Sequence, residues 1–166
     1  MAFSSNTMQN YEQLSYSGPN LSIHRAKANQ IISDAVSTRT LLAKESGATC
    51  LFDVASGVVY TLPTPVAGME FEFVTTTTIT SNAAKVITNS ASVFILGAVE
   101  IATIATATVG GFSFDGSTHR AISSNGTTTG GIIGSRYKLK ALSSTVWAIE
   151  GILIGSGTVA TPAATS

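Results

Sequence analysis

Charge is scarce in this chain. Only 11% of its 166 residues are charged, nine of each sign, so there is no basic footprint for nucleic acid. One cysteine, Cys50, excludes an intrachain disulfide and a thiolate metal cluster. The two histidines, His24 and His119, are too few and too distant for metal-ligand spacing, and no D-x-D-x-D-G calcium loop occurs. No apolar run reaches the roughly 18–20 residues needed to span a bilayer. The first twenty residues have neither the basic start nor the apolar core of a signal peptide. These absences lead us to expect a soluble protein made in a cytoplasm, with no cofactor, no metal, no nucleic acid and no membrane as partner.

What remains is rich in Ser, Thr, Ala and Gly, with hydrophobic residues at 44%, too apolar for a disordered composition. Few charges and many small hydroxyl side chains leave little electrostatic solubility. Such a surface suits a protein packed against neighbours. The length fits one domain with extra chain.

The pattern divides into three zones. Residues 1–37 are polar and weakly patterned, an extended N-terminal arm with a short helix expected over 25–36. Residues 38–155 carry almost all the strand signals, and residues 156–166 form a small-residue tail. Strands are expected at 41–43, 49–54, 58–62, 69–74, 85–88, 92–96, 98–106, 109–114, 132–142 and 145–154, broken by Gly-, Ser- and Asn-rich turns. About ten strands with little helix predict an all-β fold, a jelly roll or related antiparallel β-sandwich.

Alternation assigns faces. Met69, Phe71 and Phe73 share one side of their strand, and Glu70 and Glu72 share the other. Arg136, Lys138 and Lys140 point one way, Tyr137 and Leu139 the opposite way. Cys50 alternates with Phe52 and Val54, which predicts a buried apolar thiol. Both faces of 98–108 look apolar enough to be covered, which points to a subunit contact there. The two charge ladders are candidate interface residues: they face each other within a subunit, meet another subunit or a shell protein, or form a solvated outer surface.

Motifs for chemistry fail on inspection. Gly155-x-Gly157-x-x-Ala160 follows an apolar strand, but neither the helix nor the acidic residue of a dinucleotide site follows. No G-x-S-x-G elbow is present. Asp115 and His119 bracket a Gly-Ser-Thr turn, a pairing more often solvated than catalytic. Glu70 and Glu72 lie on one strand face, not across a cleft as sugar hydrolysis requires. Asn20 and Asn125 match glycosylation acceptors, which without a secretion signal are chance matches. The chain is therefore expected not to be an enzyme.

The most informative stretch is 38–73. It contains Leu41, Glu45-Ser46-Gly47, Phe52-Asp53, Ala55, Gly57 and then Thr61-Leu62-Pro63-x-Pro65-x-x-Gly68. The prolines remove backbone donors and end one strand, and the glycine allows the turn into the next. This text resembles a recurrent β module of tailed-bacteriophage virion proteins, found in head decoration (cement) proteins and in some head or tail fibre proteins. Related proteins often end in a turn, a tryptophan and an aromatic; residues 143–148 keep Trp147 but lack the Asp-Gly turn and the following aromatic.

The resemblance implies a homotrimer on the outer capsid surface of the virion, clamping the major capsid protein of the same phage against the pressure of packaged DNA. Tyr11, Tyr16 and Leu21 would anchor the arm, with His24, Arg25 and Lys27 against polar shell surface. Glu70, Glu72, Arg136, Lys138 and Lys140 complete the expected interface set. The alternative is a fibre component that adheres to the host through loops such as 123–131, although those tips have few of the aromatic and acidic residues that bind sugars.

Overall fold

In the computed structural model the described residues are 30–33, 37–106 and 108–166. They form an all-β sandwich of twelve strands with one single-turn 3-10 helix, Ala43–Glu45, and no α-helix among them. The strands are β1 (Ile31–Ile32), β2 (Thr38–Thr40), β3 (Thr49–Phe52), β4 (Val59–Thr61), β5 (Glu70–Thr75) and β6 (Ala84–Ile87), then β7 (Phe94–Thr103), β8 (Val109–Asp115), β9 (Ala121–Ser124), β10 (Arg136–Ala141), β11 (Val146–Gly155) and β12 (Ala163–Ala164). A seven-stranded sheet has the order β1-β3-β5-β10-β11-β7-β8, and a five-stranded sheet the order β12-β9-β6-β4-β2.

The sandwich expected from the strand spacing is present, but its pairing is mixed rather than antiparallel throughout. From β1 to β6 the chain changes sheet at every step, so odd strands enter one sheet and even strands the other. Each return to a sheet therefore runs in the original direction, and β1/β3, β3/β5, β2/β4 and β4/β6 are all parallel. Connections that cross the sandwich do not form hairpins, and parallel pairing follows from that. The remaining strands pair antiparallel except β7 with β11.

The module residues make these crossings. Glu45, 6% exposed, accepts from Arg39 Nη2 at 2.5 Å and from the Leu42 N–H at 2.8 Å, which ties the 3-10 turn to β2. Ser46 Oγ accepts the Glu70 N–H at 3.1 Å, and the Gly47 N–H donates to the Glu70 carbonyl at 2.7 Å. Gly57 turns with φ +78°, and a Cβ there would stand 2.7 Å from the Ala83 carbonyl oxygen, so only glycine fits the approach. Pro63 and Pro65 are buried after β4, and the chain turns at Val66–Met69 with the Gly68 N–H on the Ala141 carbonyl at 2.9 Å.

The core is aromatic. Phe52 packs edge-on against Tyr60, Tyr60 against Phe73, and Phe73 stacks on Tyr137, with centroids 5.3–5.7 Å apart. Tyr60 comes from the smaller sheet and the others from the larger, so the cluster joins the two layers. Trp147 is fully buried beside Phe71. Burying each such ring stabilises by about 1.5–3 kcal/mol before entropy is counted. Cys50 is buried here as expected, and burial, with Cys50 and Tyr60 nearby, pushes the Tyr137 phenol well above its ordinary pKa.

Several expected elements move. The strand read over 41–43 lies earlier, at Thr38–Thr40, because Glu45 draws 43–45 into the 3-10 turn. The break between 92–96 and 98–106 is absent: β7 runs through Gly97, where a Cβ would sit 2.2 Å from the Ile149 carbonyl oxygen of the neighbouring strand. Of the helix expected over 25–36, the described part, residues 30–33, is extended, and β1 pairs with β3. The tail is fastened: β12 pairs with β9, and Val159 packs against the core.

Candidate interaction surface

The outer face of the seven-stranded sheet brings both charge ladders together. Inward alternation of Phe71 and Phe73 on β5 turns Glu70 and Glu72 outward, and burial of Tyr137, Leu139 and Ala141 turns out Arg136, Lys138 and Lys140 on β10. The two strands are antiparallel neighbours in a register that sets Lys140 opposite Glu70 and Lys138 opposite Glu72, with Arg136 opposite Val74. Opposed side chains in such pairs have Cβ atoms about 4.5–5.5 Å apart.

The next strands extend the pattern. Lys138 is also opposite Glu150 on β11, and Ile152 on β11 stands beside Glu100 on β7. Across the sheet one row therefore reads Thr49, Glu72, Lys138, Glu150, Ala98, Ser113. A base lies between two acids. No acid–base pair on this face closes to direct contact among the described residues, so each group keeps capacity for an outside partner. Thr49 Oγ1 donates to Glu72 at 3.4 Å. Two shallow hollows of about 460 and 280 Å³ lie along the ladder, the first between Glu72, Lys138 and Glu150, the second between Glu70, Lys140 and Ala148. Leu96 and Ile152, 43% and 47% exposed, add apolar contact area.

Glu150 and Glu100 were not singled out from the sequence. The signal was present in the alternation of Trp147, Ile149 and Leu153 against Glu150, but only the β10/β11 register makes Glu150 a neighbour of Lys138. Of the apolar run 98–108, one face is core, with Val99 and Ile101 buried, while Ala98 and Glu100 on the other are exposed in the single chain. Tyr11, Tyr16, Leu21, His24, Arg25 and Lys27 lie outside the described residues.

Asp115 and His119 are together, and the geometry is that of a locked turn. Asp115 Oδ1 accepts the backbone N–H groups of Ser117, Thr118 and His119 at 2.9, 2.8 and 3.2 Å, and Oδ2 accepts the Thr118 hydroxyl. The Thr118 hydroxyl, then the Thr118 and Ser117 N–H groups, hold this carboxyl well below the usual aspartate range. His119 Nδ1 accepts the Asp115 N–H at 3.1 Å, so its 3.3 Å approach to Oδ1 is proximity rather than a donated hydrogen bond. The ring is edge-on to Phe114. Asn125 organises its loop in the same way, with Oδ1 accepting from the Thr127 and Thr129 N–H groups. Among the described residues no three His, Cys, Asp or Glu side chains gather to hold a metal ion.

No family model, no curated protein and no solved structure matches the chain.

Proposed function

We propose that this chain is a structural virion protein, a decoration (cement) protein of a tailed-bacteriophage capsid that trimerises on the outer surface and clamps neighbouring major capsid subunits. The observation that carries the reading is the exposed face of the larger sheet. A charge-poor protein concentrates seven charged side chains of both signs there, on four adjacent strands, without closing them on one another. Mixed-sign surfaces of this kind select a partner's register and orientation more than they add affinity.

The phage-type module supports the same reading, since its Glu45, Ser46, Gly57 and Pro63 build the crossings of a rigid β body. A shell under internal pressure is weakest where capsomers meet. A trimer seated on such a junction, each subunit adding an arm from the residues ahead of β1, turns three modest contacts into one strong attachment through effective concentration. In the arm, Tyr11, Tyr16 and Leu21 are the anchors, and His24, Arg25 and Lys27 meet polar shell surface.

The test uses purified chain and emptied, expanded capsids. Light scattering should give three times the chain mass, the chain should bind at hundreds of copies per particle, and particles lacking it should break at lower temperature. A dozen copies or fewer, with free protein blocking infection of host cells, would instead identify a fibre component.

A further inference from the structure

Two open sheets have four edges, and each edge is a row of backbone donors and acceptors open to another strand. Three of the described edges are short: β1 and β12 have two residues each, and β2 has three. The fourth, β8, has seven. Its register with β7 decides which of its groups face outward. The Thr103 N–H donates to the Thr108 carbonyl at 3.0 Å, and the Gly116 N–H to the Ile95 carbonyl at 2.9 Å. Both belong to the alignment that pairs Gly97 with Phe114, Val99 with Phe112 and Ile101 with Gly110.

Hydrogen-bonded pairs alternate along an antiparallel ladder. Gly110, Phe112 and Phe114 therefore direct their backbone groups to β7, and Val109, Gly111 and Ser113 direct theirs away from it. Those outward N–H and C=O groups have no partner among the described residues. The open run stops at Asp115, whose N–H is taken by His119. Natural edges are protected by brevity, proline, lysine or bulges. The Val109–Ser113 stretch, VGGFS, has none of these.

We infer that β8 is the pairing edge for a second copy of this chain, antiparallel about a two-fold axis through Gly111. The occupant follows from edge length. A seven-residue strand pairs along its length only with a comparable one, and among the described edges of a second copy that is β8 itself. The register follows from the side chains. Centring on Gly111 sets Val109 opposite Ser113 of the other copy, with no charge against a like charge. Glu100, the nearest acid in that row, stands one strand back in each copy. A Cβ on Gly111 would meet nothing within 4 Å, so a side chain placed there has room on the sheet face.

The outward groups of both copies then form about six hydrogen bonds, and the two larger sheets become one. A strand pair alone buries less than the roughly 1,200 Å² of stable complexes, so the contact is weak in dilute solution and strengthens where copies are held side by side. It is separate from the three-fold contact proposed above and joins trimers to one another. It stands or falls without any capsid being present.

Gly111→Cys tests it directly. Cα atoms of a hydrogen-bonded antiparallel pair lie about 5.5 Å apart, within disulfide range, and the buried Cys50 does not compete. Mild oxidation at high protein concentration should convert most of the variant to a covalent dimer on a non-reducing gel, whereas Ser144→Cys, in an exposed turn, should cross-link at least tenfold more slowly. In sedimentation velocity the wild type should gain mass with rising concentration. Ser113→Pro, which removes an outward donor where proline is tolerated, should not. Cross-linking of the Gly111 variant no faster than the control overturns the inference. So does a concentration-dependent gain in mass that persists in folded Ser113→Pro. If that variant fails to fold by circular dichroism, the cysteine comparison decides alone.

Discussion

Glu45→Ala is the sharpest test of how the module holds the sandwich together. The Glu45 side chain is 8% exposed, that of Arg39 28%, and Oε1–Nη2 is 2.5 Å; Oε2 receives the Leu42 N–H at 2.8 Å. Hydrogen bonds to a charged group contribute about 1.5–3 kcal/mol each. Arg39 keeps access to water, so part of its loss is recovered by resolvation, and the expected net cost is about 2–4 kcal/mol. For a body of this size that lowers Tm by about 10 °C. A cycle with Arg39→Ala separates the pair from the cap. The coupling should be about 1–2 kcal/mol, the remainder belonging to the orphaned Leu42 N–H. Thermal melts followed by circular dichroism, with urea unfolding for the cycle, provide the readings. A Tm shift below about 3 °C, or a coupling of zero, would refute the view that this turn anchors β2 to the rest.

Lys138→Glu sets a third acid between Glu72 and Glu150 in one row and should cost about 1–2 kcal/mol at low salt; added Glu72→Lys, or about 0.5 M salt, should restore most of it in urea titrations. Gly97→Ala should cost at least about 3 kcal/mol in the same titrations, since the new Cβ meets the Ile149 carbonyl. Asp115→Asn tests the locked turn through pH. The Asp115 pKa is depressed in the folded state, so its stabilisation is full above the ordinary aspartate range and fades as pH falls through the folded value. The variant should therefore melt earlier than wild type at neutral pH, with the gap narrowing in strong acid; a gap independent of pH would contradict this. Tyr60→Phe, which loses the 2.8 Å hydrogen bond to the Leu51 carbonyl inside an otherwise unchanged core, should cost about 1 kcal/mol.

Strand existence was legible wherever alternation was strong. In 69–73 and 136–140, apolar and charged residues alternate, and the faces agree with the structure, which buries Phe71, Phe73, Tyr137 and Leu139. Legibility failed where the deciding force is not periodic. β9 (Ala121–Ser124) is small and mildly polar, and it is a strand because β6 and β12 flank it. Gly97 reads as a break in sequence, yet it is the residue that lets β7 pass close beneath Ile149. For the interaction surface, the residues of both ladders were legible and their adjacency was not. Glu150 entered only through the β10/β11 register.

Local chemistry was enough to determine that this chain forms strands and, where alternation is strong, which side chains those strands bury, because those properties depend on neighbours a few residues away. Which strands lie side by side, and in which direction, was decided by the tertiary structure. The crossings between sheets return the chain parallel to itself, and the ladder centred on Lys138 joins residues 72, 138 and 150, which only packing of the shared aromatic core can bring into one row. The open backbone of β8 has the same origin, since an edge is a property of a sheet and not of any one strand.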